Sequence, residues 1–244
     1  MAVCPGCGNE TAVKQNFLLP TKPAFLAAAL CSLAACSSSP KPPEWQVEAK
    51  SAMERSVAAY LEGNRRVEAA ELARARSQLS RTGRPDLLAT AELLHCASRV
   101  ASLVFEPCAG FEPLRADATP SQRAYADYLT GQAQAHSIAL LPPAQRAAAA
   151  GDTGALQGIA DPLSQLLAAG VLLQTGRASP AVVALAIDTA SAQGWRRPLL
   201  AWLGVQLQRA EQGGDAPEAL RLQRRMAIVQ GPDAAVKEPR KDEK

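Results

Sequence analysis

At Thr119-Pro120, Asp161-Pro162 and Ser179-Pro180 a short side chain able to accept hydrogen bonds stands directly before a proline and ahead of an apolar, helix-spaced run. Such a pair starts an α-helix: the hydroxyl or carboxylate takes an orphan amide of the first turn, and the proline fills a position whose amide would have had no partner. Asp215 with Glu218 reads as a capping-box variant, Pro85 opens a further helix, and Arg197-Pro198 is a weaker start. Gly63 and Gly83 supply stops, and the last helix ends near Gly231-Pro232. Between these signals the apolar residues recur at helical spacing. Ala49, Met53, Val57 and Tyr60 form a first stripe, Ala69, Leu72, Ala75 and Leu79 a second, and Leu87, Ala91, Leu94, Ala97, Ala101 and Val104 a third. The stretch from Glu106 to Ala118 reads as a loop, and the helix opened by Pro120 is expected to reach about Leu141.

Aromatic residues make up only 4% of the chain, so core volume has to come from alanine and leucine brought close together. Closely spaced helices achieve that, whereas a sheet would want the β-branched and aromatic runs that are missing. The sequence therefore predicts an all-α fold of antiparallel helical hairpins over residues 44–231. Gly214-Asp215-Ala216-Pro217-Glu218-Ala219-Leu220 resembles the inter-helix turn and second-helix start of tetratricopeptide repeats. Ala59 to Asn64 resembles the end of that family's first helix, and Leu173 to Ala184 is a looser likeness. Glu68 departs from it by standing where the family has a small alanine, and the first-helix Trp-Leu-Gly-Tyr pattern is incomplete. The resemblance covers about half of the helical region and implies a superhelical scaffold with a concave face for peptide or protein partners. An Ala/Leu-rich helical bundle with repeat-like turns fits the same residues.

Ahead of the helices, Ala24 to Leu33 is uncharged and apolar, with Lys14 and Lys22 before it, which is a secretory pattern. It is too short to cross a bilayer core of roughly 30 Å as a helix. The four residues Leu33-Ala34-Ala35-Cys36 resemble the lipobox of bacterial lipoproteins at every position. That resemblance implies cleavage between Ala35 and Cys36, a diacylglyceryl group on the Cys36 thiol and an acyl chain such as palmitate on the freed amine. Several chains make a lasting anchor, at ~0.8 kcal/mol per buried methylene, where one alone is marginal. Ser37, in place of the aspartate that retains such proteins in the inner membrane, implies the outer membrane and a periplasm-facing domain. An ordinary signal peptide with a chance cysteine is the competing reading. The proline-rich residues up to Pro43 read as a semi-extended tether. The expected organisation is a signal peptide at 1–35, a lipidated cysteine and tether at 36–43, the helical domain at 44–231 and a charged disordered tail at 232–244. Cys4-Pro5-Gly6-Cys7-Gly8 looks like half of a zinc ribbon without its second half, and a translation start downstream, at Val13, Leu18 or Leu19, accounts for it better.

Removing residues 1–35 takes Lys14, Lys22 and Glu10 from the 26 basic and 23 acidic residues, leaving a net charge of +2. Nothing here makes a nucleic-acid footprint, which needs a clustered basic face. Processing also leaves only Cys96 and Cys108 with free thiols, and an oxidising periplasm invites them to pair. Closing a loop of about 13 residues stabilises by on the order of 3 kcal/mol. The Cα atoms must then come within about 7 Å, which is easier if the third helix ends nearer Ser102 than Phe105. Two free cysteines on packed surfaces are the alternative.

No motif for catalysis, a metal or a cofactor is apparent. His95 and His136 are the only histidines, and His95 with Cys96 and Cys108 makes a poor metal set, because adjacent helical residues face different ways. Gly151-Asp152-Thr153-Gly154 contains the Asp-Thr-Gly string of aspartic proteases outside their β-rich context and reads as a turn. Trp202 is expected in the core. Trp195, with Arg196 and Arg197, could form a partner-facing or lipid-facing edge or pack inward, and Trp45 is a further contact candidate. Arg74, Arg76, Arg81 and Arg84, near Glu62, Glu68 and Glu71, read as a solvated face. The sequence thus points to a lipid-anchored, non-catalytic protein-binding or scaffolding module with an envelope protein as partner. A binder of small apolar ligands comes second. An enzyme comes third, its sign being a polar pocket that holds His95 or His136 beside a carboxylate.

Overall fold

The computed structural model describes residues 41–231, and within them the chain forms nine α-helices, three 3-10 turns and no strand. The helices are α1 (Glu44–Glu62), α2 (Arg65–Ser80), α3 (Pro85–Ala101), α4 (Pro120–Leu129), α5 (Pro143–Ala149), α6 (Pro162–Gln174), α7 (Pro180–Ala192), α8 (Arg196–Gln212) and α9 (Ala216–Gln230). The fold is all-α, built of helices joined by short turns. Successive pairs α1–α2, α6–α7, α7–α8 and α8–α9 pack side by side, while α3 packs on both α2 and α6. Contacts of α1 with α3 and α8 bring the first hairpin back onto the second half of the domain.

The capping signals are used as their chemistry predicts. Thr119 accepts from the Gln122 amide while Gln122 Oε1 accepts from the Thr119 amide, a complete capping box. Asp161 and Ser179 accept from Ser164 and Val182. Asp215 accepts from the Glu218 amide, but the Glu218 carboxylate goes to Arg221 and Gln206 instead of closing the box.

Three element boundaries differ from the sequence expectation. The helix opened by Pro120 stops at Leu129, not near Leu141. Gly131 takes a left-handed φ of 74°, its amide reaches Tyr128 O, and the Gln132 amide closes the turn on Asp127 O at 2.7 Å. After it come a 3-10 turn at Ala135–Leu140 and the short α5, which the Pro142-Pro143 pair announces. The third helix ends at Ala101 rather than Val104, because Leu103 adopts φ 60°, alone among the described non-glycine residues. Packing of Leu103 against the core offsets a conformational cost of roughly 1 kcal/mol. Finally, α8 begins at Arg196, two residues before its proline.

The core has three parts that share helices. Around Trp202, fully buried, lie apolar residues of α6 to α9. A second cluster joins α3, α4, the loop residue Phe111 and Leu141. The third, mostly alanine, joins α1, α2 and α3. Residues 165–172 of α6 are all buried, serving the first two clusters from opposite faces, so this helix is apolar all round. A Cβ on Gly170 would lie 2.5 Å from the Val100 carbonyl oxygen, so glycine lets the α3 and α6 backbones touch.

Candidate functional site

Two clefts meet along one face of α3. The first, of about 470 Å³, lies between α1 and α3 and is floored by Ala49, Met53, Leu79, Leu87, Ala91 and Leu94, with Trp45 at the first turn of α1. The second, also about 470 Å³, is bounded by Leu93, Leu94, Tyr125, Leu140, Leu141 and Pro142. Thr90 and Leu94 belong to both, which makes one continuous apolar groove from the start of α1 to the approach to α5.

Where the two clefts meet, the polar side chains are engaged with one another. Thr90 Oγ1 donates to the Asp86 carbonyl and accepts from Gln122 Nε2, which also donates to Asp86 O. At the rim, Arg84 holds Asp86 through two hydrogen bonds and keeps its carboxyl below the usual carboxylate range. Lys50 lies 3.8 Å from Glu54. Burial pushes the Tyr125 phenol up, so it stays neutral.

A second, polar pocket of about 230 Å³ sits on the opposite flank of α3, lined by Arg76, Glu92, His95, Arg99, Glu106 and the Cys96–Cys108 disulfide. The two cysteine Cα atoms are 5.4 Å apart, which the early end of α3 permits. Glu92 is only 4% exposed and receives Arg76 through a two-point fork of 2.5 and 2.7 Å. His95 Nε2 lies 3.2 Å from Glu68 Oε1. A histidine beside a carboxylate at a polar pocket is thus present, the feature an enzyme would need. The groups that could serve as nucleophiles are committed elsewhere: Cys96 is in the disulfide and Ser98 Oγ donates to the His95 carbonyl.

Arg76 and Glu68 are therefore not merely part of a solvated face. They form the ionic seam between α2 and α3, with Arg55 to Glu71 joining α1 to α2. Glu92 lies off the apolar stripe through Leu87, Ala91 and Leu94 and carries no local signal in the sequence, since only the docking of α2 pairs it with Arg76. Glu68, the misfit to the repeat pattern, has its reason in His95.

The remaining residues resolve individually. Arg196 donates to the Val229 and Gln230 carbonyls and caps the end of α9, so it is not a free edge. Arg197 donates to Tyr60 O at 2.7 Å and stacks 4.3 Å over its ring, with Arg99 at 5.8 Å. Trp195 packs half-buried against the core, and Trp202 Nε1 donates to Ala101 O. His136 is exposed on a 3-10 turn. Asp152 Oδ1 accepts from the Gly154 and Ala155 amides, a local turn. Ala35 and Cys36, the tether up to residue 40 and the tail from residue 232 lie outside the described residues.

Among the described residues, no group of three or more His, Cys, Asp or Glu is arranged to hold a metal, and no helix is long and apolar enough to cross a membrane. No protein-family model, curated protein or solved structure matches the chain.

Proposed function

We propose that this protein is a membrane-anchored, non-catalytic binding module of the bacterial envelope, held by acylated Cys36 at the periplasmic face of the outer membrane. It acts as a scaffold, and the apolar groove along α3 is its binding surface. The observation that carries the reading is the pair of concave, mostly apolar clefts that share Thr90 and Leu94, since sites of this size and lining are where proteins take up partners and ligands. The commitment of Cys96 and Ser98 supports a non-catalytic role. A protein partner in the envelope would lay an apolar helix face into such a groove. A small apolar ligand is the second reading, favoured by the pairing of Thr90 and Gln122 with each other and with the Asp86 carbonyl where the clefts meet.

The test is a photoreactive side chain introduced at exposed Thr90 and, separately, at Ile228, followed by irradiation of intact envelopes. An adduct formed from position 90, absent from position 228 and lost when Leu94→Trp fills the groove, is the expected result. No adduct, or the same adducts from both positions, overturns the assignment of the binding surface.

A further inference from the structure

We infer that the groove along α3 holds a hydrocarbon chain, and specifically an acyl chain of a phospholipid from the membrane to which the domain is tethered. This deepens the second of the two readings above, a small apolar ligand in the groove, and rests on it.

Three features select this occupant. The first is the chemistry of the walls. Where the clefts meet, Thr90 and Gln122 spend their hydrogen-bonding groups on Asp86, on each other and on the Thr119 amide. The Arg84 and Lys50 charges on the rim are met by Asp86 and Glu54. The side chains at the junction are thus paired with one another, and a hydrocarbon asks for none of them. Apolar burial alone drives such binding, so each methylene removed from water tightens it.

The second feature is shape. The groove is long and open, and its two lobes, about 470 Å³ each, are individually within the roughly 300–1,000 Å³ of small-molecule sites. Joined at Leu94, they suit a linear molecule better than a compact one. On α3 alone, the floor from Leu87 to Leu94 rises roughly 10 Å.

The third is reach. Trp45 stands at the groove's mouth in the first turn of α1, and Cys36 is eight residues before Glu44. Eight residues span at most about 28 Å when fully extended. An acylated Cys36 therefore keeps the mouth of the groove within about one bilayer thickness of the lipid surface.

The experiment uses the full chain carrying Cys36→Ser, which needs no detergent. Palmitoyl-lysophosphatidylethanolamine, below its micellar concentration, is titrated against a bound fluorescent fatty acid. The expected result is displacement of one probe per protein and an affinity that falls several-fold for each two carbons removed. The phosphatidylglycerol analogue should bind within about twofold, since the paired rim charges give no preference for the head group. Leu94→Trp, which narrows the junction without adding charge, and Leu140→Asp, at an exposed position, should each weaken binding about tenfold or more. Ile228→Asp, 80% exposed on α9, should leave it unchanged. Far-ultraviolet circular dichroism identifies any variant that has lost its helices, and the two groove variants are independent of each other. Absence of displacement, or displacement unaltered by both groove variants, overturns the inference. A protein adduct from position 90 with which the lysophospholipid does not compete would also overturn it while leaving the binding module intact. Loss of both the adduct and the displacement removes both readings.

Discussion

Helix α3 is packed on two sides by opposite means. Towards α6 the seam is dry: Gly170 touches the Val100 carbonyl, and Trp202 reaches from α8 to Ala101 O. Towards α2 the seam is ionic: Arg76 grips Glu92 and Glu68 meets His95. The contrast shows how a chain poor in aromatic residues builds stability. Small residues let backbones close up around one large side chain, and where side chains stand further apart, paired charges and a disulfide bridge the gap. Only the dry seam depends on shape to a fraction of an ångström.

The largest effect should come from Trp202→Ala, which opens a cavity in the first cluster and leaves Ala101 O without its donor. A loss of about 3–5 kcal/mol in urea unfolding is expected. A loss under 1 kcal/mol would mean that the dry seam is not what holds the second half.

Next comes a pair of glycines. Gly170→Val forces a side chain against the Val100 backbone and should cost about 3 kcal/mol. Gly204→Ala, within α8 where a Cβ meets nothing within 4 Å, should instead stabilise by about 0.5–1 kcal/mol. Equal effects from the two would break the argument for close approach.

On the ionic side the expected cost is asymmetric. Arg76→Met leaves Glu92 buried and unpaired, for about 2 kcal/mol. Glu92→Met leaves a half-exposed arginine that water can serve, and costs less. In the double variant most of the loss should disappear, a coupling that a double-mutant cycle measures.

The smallest effect concerns pH. Arg115 holds the Glu112 carboxyl below its ordinary range, Arg55 does so for Glu71, and Arg221 for Glu218. A depressed carboxyl contributes stability that is complete above its unfolded value and is lost as pH falls through its lower folded value. Thermal melting should therefore be flat from neutrality down to about pH 5 and drop below about pH 4. Arg115→Gln should reduce the size of that acid-side drop slightly.

The legible parts of the fold were those written in local chemistry. Caps at Thr119, Asp161, Ser179 and Asp215 set helix starts within a few bonds, and the stripe through Leu87, Ala91 and Leu94 marked a face that the structure leaves as the groove floor. The stop at Gly131 is equally local, yet the apolar residues beyond it, from Ala133 to Leu141, kept a helix-like rhythm that concealed it. What stayed hidden was set by long-range pairing. Arg76 and Glu92 are sixteen residues apart, and Glu68 and His95 twenty-seven, so their partnership exists only once α2 and α3 dock. The junction at Thr90 had the same origin, since its partner Gln122 comes from α4.

The proposed lipid anchor is checked by the intact mass of the protein recovered from separated inner and outer membranes. A chain beginning at Cys36, carrying the mass of a diacylglyceryl group and one further acyl chain, is expected in the outer-membrane fraction and should be lost in Cys36→Ser. An unacylated chain that still carries the residues before Cys36, unchanged by that substitution, would contradict the anchor.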